Sequence, residues 1–224
     1  MKVYYVISLC LFLSMTILKA QDWAQLNRFK AENELLLPPA KNENRVVFIG
    51  NSITEGWRND SLSLFKNPSF INRGIGGQTT SQMKIRFWQD VIKLNPKVVV
   101  ILAGINDIAQ NTGPIALSEI AKNIEEMTQL AKAHRIKVVV CSVLPANYFP
   151  WRPQILTSEK VIALNAMLKS LAIKQDVTYL DYYTFMVNDT KGMKEEYTYD
   201  GVHCTLEGYR KMETILLPCL EKLF

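Results

Sequence analysis

The chain has 224 residues, of which 48% are hydrophobic and 21% are charged, and its formal net charge is +5. This length suits a single domain with a substantial core. The basic residues are scattered among acidic ones without an arginine-rich run, which argues against nucleic acid as a partner. The sequence contains neither a Cys-x-x-Cys pair nor a His-Glu-x-x-His motif, so we expect no metal and no cofactor.

Residues 1–20 have the pattern of a secretory signal peptide. Lys2 precedes an apolar stretch that ends at Leu18, and Ala20 stands before a polar segment. The alternative is an uncleaved anchor, but the stretch contains hydroxyl-bearing residues and falls short of the ~20 residues of a spanning helix. We therefore predict cleavage after Ala20, a secreted or periplasmic protein without stable membrane insertion, and one domain over residues 21–224.

The rest of the chain alternates between strand and helix patterns. Short runs of β-branched and aromatic residues predict strands, and apolar residues at helical spacing predict helices. This alternation is typical of a parallel sheet with helices on both faces, an α/β fold. The predicted strands cover 45–50, 70–72, 97–104, 136–143 and 177–180, and the predicted helices cover 22–37, 79–91, 114–131, 158–174 and 206–215.

The first predicted strand ends in Gly50-Asn51-Ser52. Ligands of open parallel sheets bind outside the carboxyl ends of the strands, so Ser52 is a candidate nucleophile. Serine is also a favoured helix N-cap, and that structural role is the alternative. A glycine-rich turn, residues 73–77, follows the second strand, and Asn106-Asp107 follows the third. The amide of Asn106 can donate to a developing oxyanion, although Asn-Asp also forms turns.

The sequence has two histidines. His134 ends a predicted helix, where a cation interacts favourably with the helix dipole, so we expect a structural role for it. His203 lies three residues after Asp200 in a turn that contains Gly201. This spacing can place a carboxylate on one imidazole nitrogen and leave the other nitrogen free to act as a base. The alternative is a loop that simply precedes the last helix.

Four segments together resemble the four conserved blocks of the SGNH hydrolases, also called GDSL esterases/lipases. They occur in the family's order and span nearly the whole chain after residue 20, which makes the resemblance specific. The Asn51 and Ile75-Gly76-Gly77 variants resemble the branch of the platelet-activating-factor acetylhydrolase catalytic subunit. The segments are Gly50-Asn51-Ser52-Ile53-Thr54, Asn72-Arg73-Gly74-Ile75-Gly76-Gly77, Gly104-Ile105-Asn106-Asp107 and Asp200-Gly201-Val202-His203.

The resemblance implies a three-layer, flavodoxin-like fold with a five-stranded parallel sheet of order 2-1-3-4-5. It implies that Ser52 is the nucleophile, His203 the general base and Asp200 the acid that orients it. The oxyanion hole would consist of the backbone N–H groups of Ser52 and Gly77 and the side-chain amide of Asn106. The chain departs from the commonest family pattern at Asn51, where aspartate is usual, and this leaves the local hydrogen bonding near Ser52 open.

Two loops on the same edge of the sheet are expected to bind the substrate. Their aromatic and basic residues suit stacking on a sugar ring and binding of a polar group, although Trp151 could equally anchor its loop to the core. We see no amphipathic lid, so we expect a secreted esterase for small acyl groups, above all O-acetyl groups on carbohydrate. The alternatives are a lysophospholipase or thioesterase, and a non-catalytic carbohydrate-binding module. The expected substrate-binding residues are Trp57, Tyr148, Trp151 and Arg152.

Overall fold

The computed structural model describes residues 22–59 and 64–224 of the chain. Its centre is a five-stranded parallel sheet with the order β2-β1-β3-β4-β5, which confirms the predicted topology. The predicted signal peptide lies outside the described residues. The strands are β1 (Val46–Gly50), β2 (Phe70–Gly74), β3 (Val98–Leu102), β4 (Lys137–Cys141) and β5 (Thr178–Leu180).

The adjacent inner strands β1 and β3 lie fully within the core. Every residue of β1 and β3 is buried, and the strands pair in parallel from Val46 opposite Val98 to Gly50 opposite Leu102. A strand that is covered on both faces needs no alternation of polar and apolar residues, which explains the continuous apolar runs. Since all five strands are parallel, their carboxyl ends meet at one edge of the sheet.

Helices connect the strands and cover the sheet. Helices α3, α5 and α6 pack beside one another, while Tyr209 of α8 stacks on Trp57 beside Phe48 of β1. None of the helices within residues 22–59 and 64–224 is long and apolar enough to cross a bilayer. The helices are α1 (Lys30–Leu35), α2 (Ser52–Gly56), α3 (Thr80–Asp90), α4 (Ile105–Ile108), α5 (Leu117–Ala133), α6 (Ser158–Gln175), α7 (Tyr183–Met186) and α8 (Leu206–Glu221).

The predicted leading helix over 22–37 is wrong for most of its length. Only α1 is helical there, because the preceding residues form turns in which the Asp22 carboxylate accepts the Leu26 N–H and Gln25 has a positive φ of 54°. Three glutamine side chains, two from α3 and one from the turn just before it, instead hold this segment by its backbone carbonyls. Those bonds join Gln82 to Trp23, Gln78 to Ala24 and Gln89 to Leu26.

Candidate active site

Ser52 is the first residue of α2, directly beyond the carboxyl end of β1. The N-cap of this helix is Asn51, whose side-chain oxygen accepts the Ile53 N–H at 3.0 Å. The Ser52 hydroxyl is therefore not the cap, which removes the structural alternative weighed for it. The cap also gives Asn51 a role, although its buried Nδ2 finds no hydrogen-bond partner in the described part of the chain.

The Ser52 hydroxyl faces an imidazole that is itself held by a carboxylate. Ser52 Oγ lies 2.9 Å from His203 Nε2, and His203 Nδ1 lies 2.6 Å from Asp200 Oδ2. The His203 and Asp200 side chains remain 23% and 26% exposed. With Nδ1–H donating to the carboxylate, neutral His203 presents its Nε2 lone pair to the Ser52 hydroxyl, which is the geometry of a general base.

The backbone of the Asp200 turn fixes the direction of its carboxylate. Asp200 Oδ1 accepts the Val202 N–H at 2.9 Å and the His203 N–H at 2.7 Å, which leaves Oδ2 for the imidazole. Burial alone would raise the pKa of Asp200, but the hydrogen bonds from His203 and Val202 outweigh it and hold the pKa below its usual range. Asp200 is therefore a carboxylate at neutral pH.

The glycine-rich turn after β2 comes close to Ser52. A Cβ placed on Gly76 would lie 3.9 Å from Ser52 Cβ and 3.0 Å from a carboxylate oxygen of Glu55. That oxygen already accepts the Gly76 N–H at 2.8 Å, a contact that the sequence analysis missed. Gly77, which follows, is exposed and has a φ of +75°, a conformation that favours glycine.

Asn106 extends from α4, beyond the end of β3, towards the same turn. Its side chain is buried, and Nδ2 donates to the backbone carbonyl of Gln78 at 3.0 Å. An amide nitrogen carries two hydrogens, so this bond fixes the side chain and leaves the second hydrogen for another acceptor. The structure thus brings Ser52, Gly77 and Asn106 together at the carboxyl edge of the sheet.

The neighbouring Asp107 ties this turn to α3. Its carboxylate accepts the Thr80 N–H at 3.0 and 3.1 Å and the Thr80 hydroxyl at 2.6 Å. Burial raises the pKa of Asp107 to about 6, against the hydrogen bonds from Thr80, which lower it. Asp107 therefore anchors the start of α3 next to Asn106.

Three aromatic side chains surround the Asp200–His203 turn. Trp151 lies 6.1 Å from the His203 ring between centroids, and Tyr199 stacks on that ring at 5.8 Å and an interplanar angle of 13°. The ring of Tyr148 lies against Gly201, since a Cβ there would meet it at 3.0 Å. All three are exposed. Sequence reasoning missed Tyr199, although it immediately precedes Asp200.

The prediction that Trp57 binds substrate is wrong. Its side chain is 1% exposed, its Nε1–H donates to Glu213 at 3.0 Å, and its ring stacks on Tyr209 at 5.6 Å. A ring enclosed in this way belongs to the core and cannot contact a ligand. Arg152 is exposed on the loop of Trp151, and its role in binding stays a prediction.

His134 lies outside the site. It is the C-cap residue of α5 and its ring meets Trp88 edge-on at 5.2 Å. It precedes β4 and so lies near the amino edge of the sheet, opposite to Ser52. Within the described residues, no group of three or more His, Cys, Asp or Glu side chains is arranged to hold a metal ion.

Comparison with known proteins identifies the family. Among solved structures, a candidate acylhydrolase from Bacteroides fragilis is 47% identical with a TM-score of 0.88, over 91% of this chain and 100% of that chain. A GDSL-like lipase from Bacteroides thetaiotaomicron is 45% identical with a TM-score of 0.87, over 90% and 99% of the two chains. The acetylxylan esterase of Xylanibacter ruminicola is 24% identical over 82% of this chain.

The chain spans only 44% of the length of that acetylxylan esterase. The sequence model of the GDSL-like lipase/acylhydrolase family, in contrast, matches residues 48–211, which are most of this chain. The match begins within β1 and extends into α8, so it includes Ser52, Gly77, Asn106, Asp200 and His203. With this match and the geometry around Ser52, the chain belongs to the GDSL-like lipase/acylhydrolase family.

Proposed function

We propose that this protein is a serine esterase that hydrolyses small acyl esters, O-acetyl groups on carbohydrate above all, through an acyl-enzyme at Ser52. The observation that carries the proposal is a pair of hydrogen-bond contacts. Ser52 Oγ lies 2.9 Å from His203 Nε2, and His203 Nδ1 lies 2.6 Å from Asp200 Oδ2. A serine hydroxyl is a weak nucleophile at neutral pH, and a base within hydrogen-bond reach activates it.

In the first half-reaction, Ser52 Oγ attacks the ester carbonyl carbon while its proton passes to His203 Nε2. The negative charge that develops on the carbonyl oxygen is stabilised by the Ser52 and Gly77 N–H groups and by Asn106 Nδ2. Loss of one such donor typically lowers turnover by ~10²–10³. His203 then gives its proton to the departing alcohol oxygen, the ester C–O bond breaks, and the acyl group stays on Ser52.

In the second half-reaction, a water molecule takes the place of the alcohol. His203 removes a proton from this water as its oxygen attacks the acyl carbon, and the same three donors hold the second oxyanion. The bond to Ser52 then breaks, Oγ recovers the proton from His203, and the carboxylic acid leaves. Asp200 stays ionised throughout and stabilises the imidazolium that forms in each half-reaction.

The surroundings of Ser52 favour a short acyl group on a polar alcohol. The side chains of His203 and Asp200 are about one-quarter exposed, so the site is shallow. Tyr148, Trp151 and Tyr199 offer exposed ring faces next to His203, and sugars stack on such faces. The name of the Xylanibacter relative, an acetylxylan esterase, supports a carbohydrate acetyl ester. Export of the chain, predicted from residues 1–20, agrees with a polysaccharide substrate.

The experiment that tests the proposal compares p-nitrophenyl acetate hydrolysis by the wild type, Ser52→Ala and Ser170→Ala. Ser170 is exposed on α6 and serves as the matched control for loss of a serine hydroxyl. We expect Ser52→Ala to lose at least about 10³-fold in kcat while the control keeps the wild-type rate. Equal rates for the wild type and Ser52→Ala would remove Ser52 from the mechanism.

The substrate class is tested by a second comparison. Acetylated xylo-oligosaccharide, a lysophospholipid and a long-chain acyl thioester are offered to the same preparation. We expect the highest kcat/KM on the acetylated sugar. Preference for the lysophospholipid or the thioester would replace the carbohydrate assignment by a lipid or thioester hydrolase, and the role of Ser52 would stand.

A further inference from the structure

A buried arginine lies between the two turns that carry Ser52 and Gly77. Arg86 extends from α3, and its side chain is fully buried. Its Nη2 donates to the Gly50 carbonyl at 3.1 Å, its Nε to Gln78 Oε1 at 2.6 Å, and its Nη1 to Asp90 Oδ2 at 3.0 Å. The rigid planar fork of a guanidinium can hold three acceptors in fixed relative positions.

The first of these bonds fixes the turn before Ser52. Gly50 is the last residue of β1, and its carbonyl belongs to the peptide bond that leads into Asn51. The same carbonyl accepts the Ile75 N–H at 3.1 Å. One oxygen therefore joins the Ser52 turn, the glycine-rich turn and the Arg86 guanidinium.

The second bond fixes the turn that contains Gly77. Gln78 follows Gly77 directly, and its side chain is held at both ends, since Oε1 accepts from Arg86 and Nε2 donates to the Ala24 carbonyl at 2.8 Å. The backbone carbonyl of Gln78 is the acceptor for Asn106 Nδ2. Arg86 and Asn106 thus both hydrogen-bond to Gln78, one to its side chain and the other to its backbone carbonyl.

We propose that Arg86 is a positioning residue that sets the mutual spacing of the Ser52 N–H, the Gly77 N–H and the Asn106 amide. This inference rests on the proposed function, because it assigns those three groups to the oxyanion hole. Each group is linked to Arg86 by a short covalent or hydrogen-bonded path through Gly50 or Gln78. Oxyanion donors act only if they are held in place before the reaction, and a shift of about 1 Å can cost ~10² in rate.

The ion pair with Asp90 does not by itself account for a buried arginine. Arg86 and Asp90 are both fully buried at positions i and i+4 of α3. Replacing such a pair by apolar residues of similar volume is often neutral or stabilising, so stability alone is a weak reason for a charge at this point. The bonds to Gly50 and Gln78 supply the missing reason, since both acceptors belong to turns of the site.

The test compares Arg86→Lys with Arg45→Lys. Arg45 is the matched control because it is also buried and donates to the carbonyls of Leu94 at 3.0 Å and Leu37 at 2.9 Å. It precedes β1 and so lies at the amino edge of the sheet, away from Ser52. Lysine keeps the charge at both positions but loses the fork, so both variants are expected to lower Tm.

Only Arg86→Lys should change the site. We expect its kcat on p-nitrophenyl acetate to fall about 10- to 100-fold with KM within about twofold, because oxyanion donors act on the transition state. The pH profile should keep its shape, since His203 and Asp200 are untouched. Equal kcat values for Arg86→Lys, Arg45→Lys and the wild type would overturn the inference, as would a loss that appears only in KM.

A readout that is independent of turnover separates this inference from the proposed function. In NMR spectra, the Gly77 backbone amide and the Asn106 side-chain amide should shift in Arg86→Lys and stay unchanged in Arg45→Lys. Unchanged resonances in Arg86→Lys would overturn the inference. If the wild type hydrolysed no ester at all, the proposed function would fail, and the NMR comparison would still decide whether Arg86 positions these groups.

A second pair of variants covers the case in which Arg86→Lys does not fold. Gln78→Leu removes the acceptor of Arg86 Nε without removing a charge. Gln89→Leu is its control, because Gln89 also donates to a carbonyl of the leading segment, that of Leu26. We expect a drop in kcat and a shift of the Asn106 amide resonance for Gln78→Leu alone. Equal changes in kcat and in the Asn106 amide resonance for Gln78→Leu and Gln89→Leu would contradict the inference.

Discussion

Replacing Asp200 by asparagine should remove the base function of His203 without disturbing the fold. In the structure, Asp200 Oδ1 accepts two backbone N–H groups at 2.9 and 2.7 Å, while Oδ2 faces His203 Nδ1 at 2.6 Å. An asparagine side chain keeps its oxygen on the two N–H donors and must turn its NH₂ group towards the imidazole. His203 then accepts at Nδ1 and carries its proton on Nε2, where it cannot take the proton of Ser52.

The size of the effect follows from this change of tautomer. A comparable wrong-tautomer substitution in serine hydrolases lowers kcat by about 10⁴, so we expect a loss of about 10³–10⁴ in kcat for Asp200→Asn. The assay is p-nitrophenyl acetate hydrolysis, with Tm as the measure of folding. Asp181→Asn is the control, because Asp181 also caps a turn, with bonds to the Thr184 N–H and hydroxyl. A folded Asp200→Asn enzyme within tenfold of the wild type would refute this reasoning.

Three further predictions concern stability, binding and pH. Trp57→Ala should lower the free energy of unfolding by about 3–5 kcal/mol in urea titration, because a buried ring is lost. Trp151→Ala should raise KM for acetylated xylo-oligosaccharide several-fold, whereas Trp88→Ala, another exposed tryptophan, should not. Folding raises the pKa of the Asp107 carboxyl from about 3.9 to about 6. Between about pH 3.9 and about pH 6 the folded state therefore binds more protons than the unfolded state, so the free energy of unfolding falls as pH rises through this range. Between pH 4 and 7, the wild type should lose about 2 kcal/mol more than Asp107→Asn in urea titrations, and parallel curves would contradict that assignment.

The sheet could be predicted because its strands have a strong local signal. Continuous β-branched runs such as Val98–Leu102 are typical of parallel strands that are buried on both faces. The leading segment could not be predicted, since Trp23, Leu26 and Phe29 have roughly helical spacing while distant hydrogen bonds decide its structure. The carbonyls there are held by Gln78, Gln82 and Gln89, which lie 54 to 63 residues away along the chain.

The candidate site was predicted from the order of the family motifs in the sequence, because the sequence alone does not show which distant residues contact one another. Ser52 and His203 are 151 positions apart in the sequence, so only the resemblance to a known family could bring them together in advance. Trp57 was misplaced because its local context, an aromatic next to an arginine, fits a binding loop. Its burial depends on Tyr209 and Glu213 of the last helix, and Arg86 shows no sign in the sequence of reaching Gly50.

The measurement that tests the central claim most directly is covalent labelling with a fluorophosphonate, followed by peptide mass mapping. Such a reagent forms a stable tetrahedral adduct on an activated serine and so probes the nucleophile, its base and the oxyanion donors at once. We predict one phosphonyl group per chain, on the peptide that contains Ser52, with esterase activity lost in proportion. A label on another residue, or full activity after Ser52 is labelled, would contradict the assignment of Ser52 as the nucleophile.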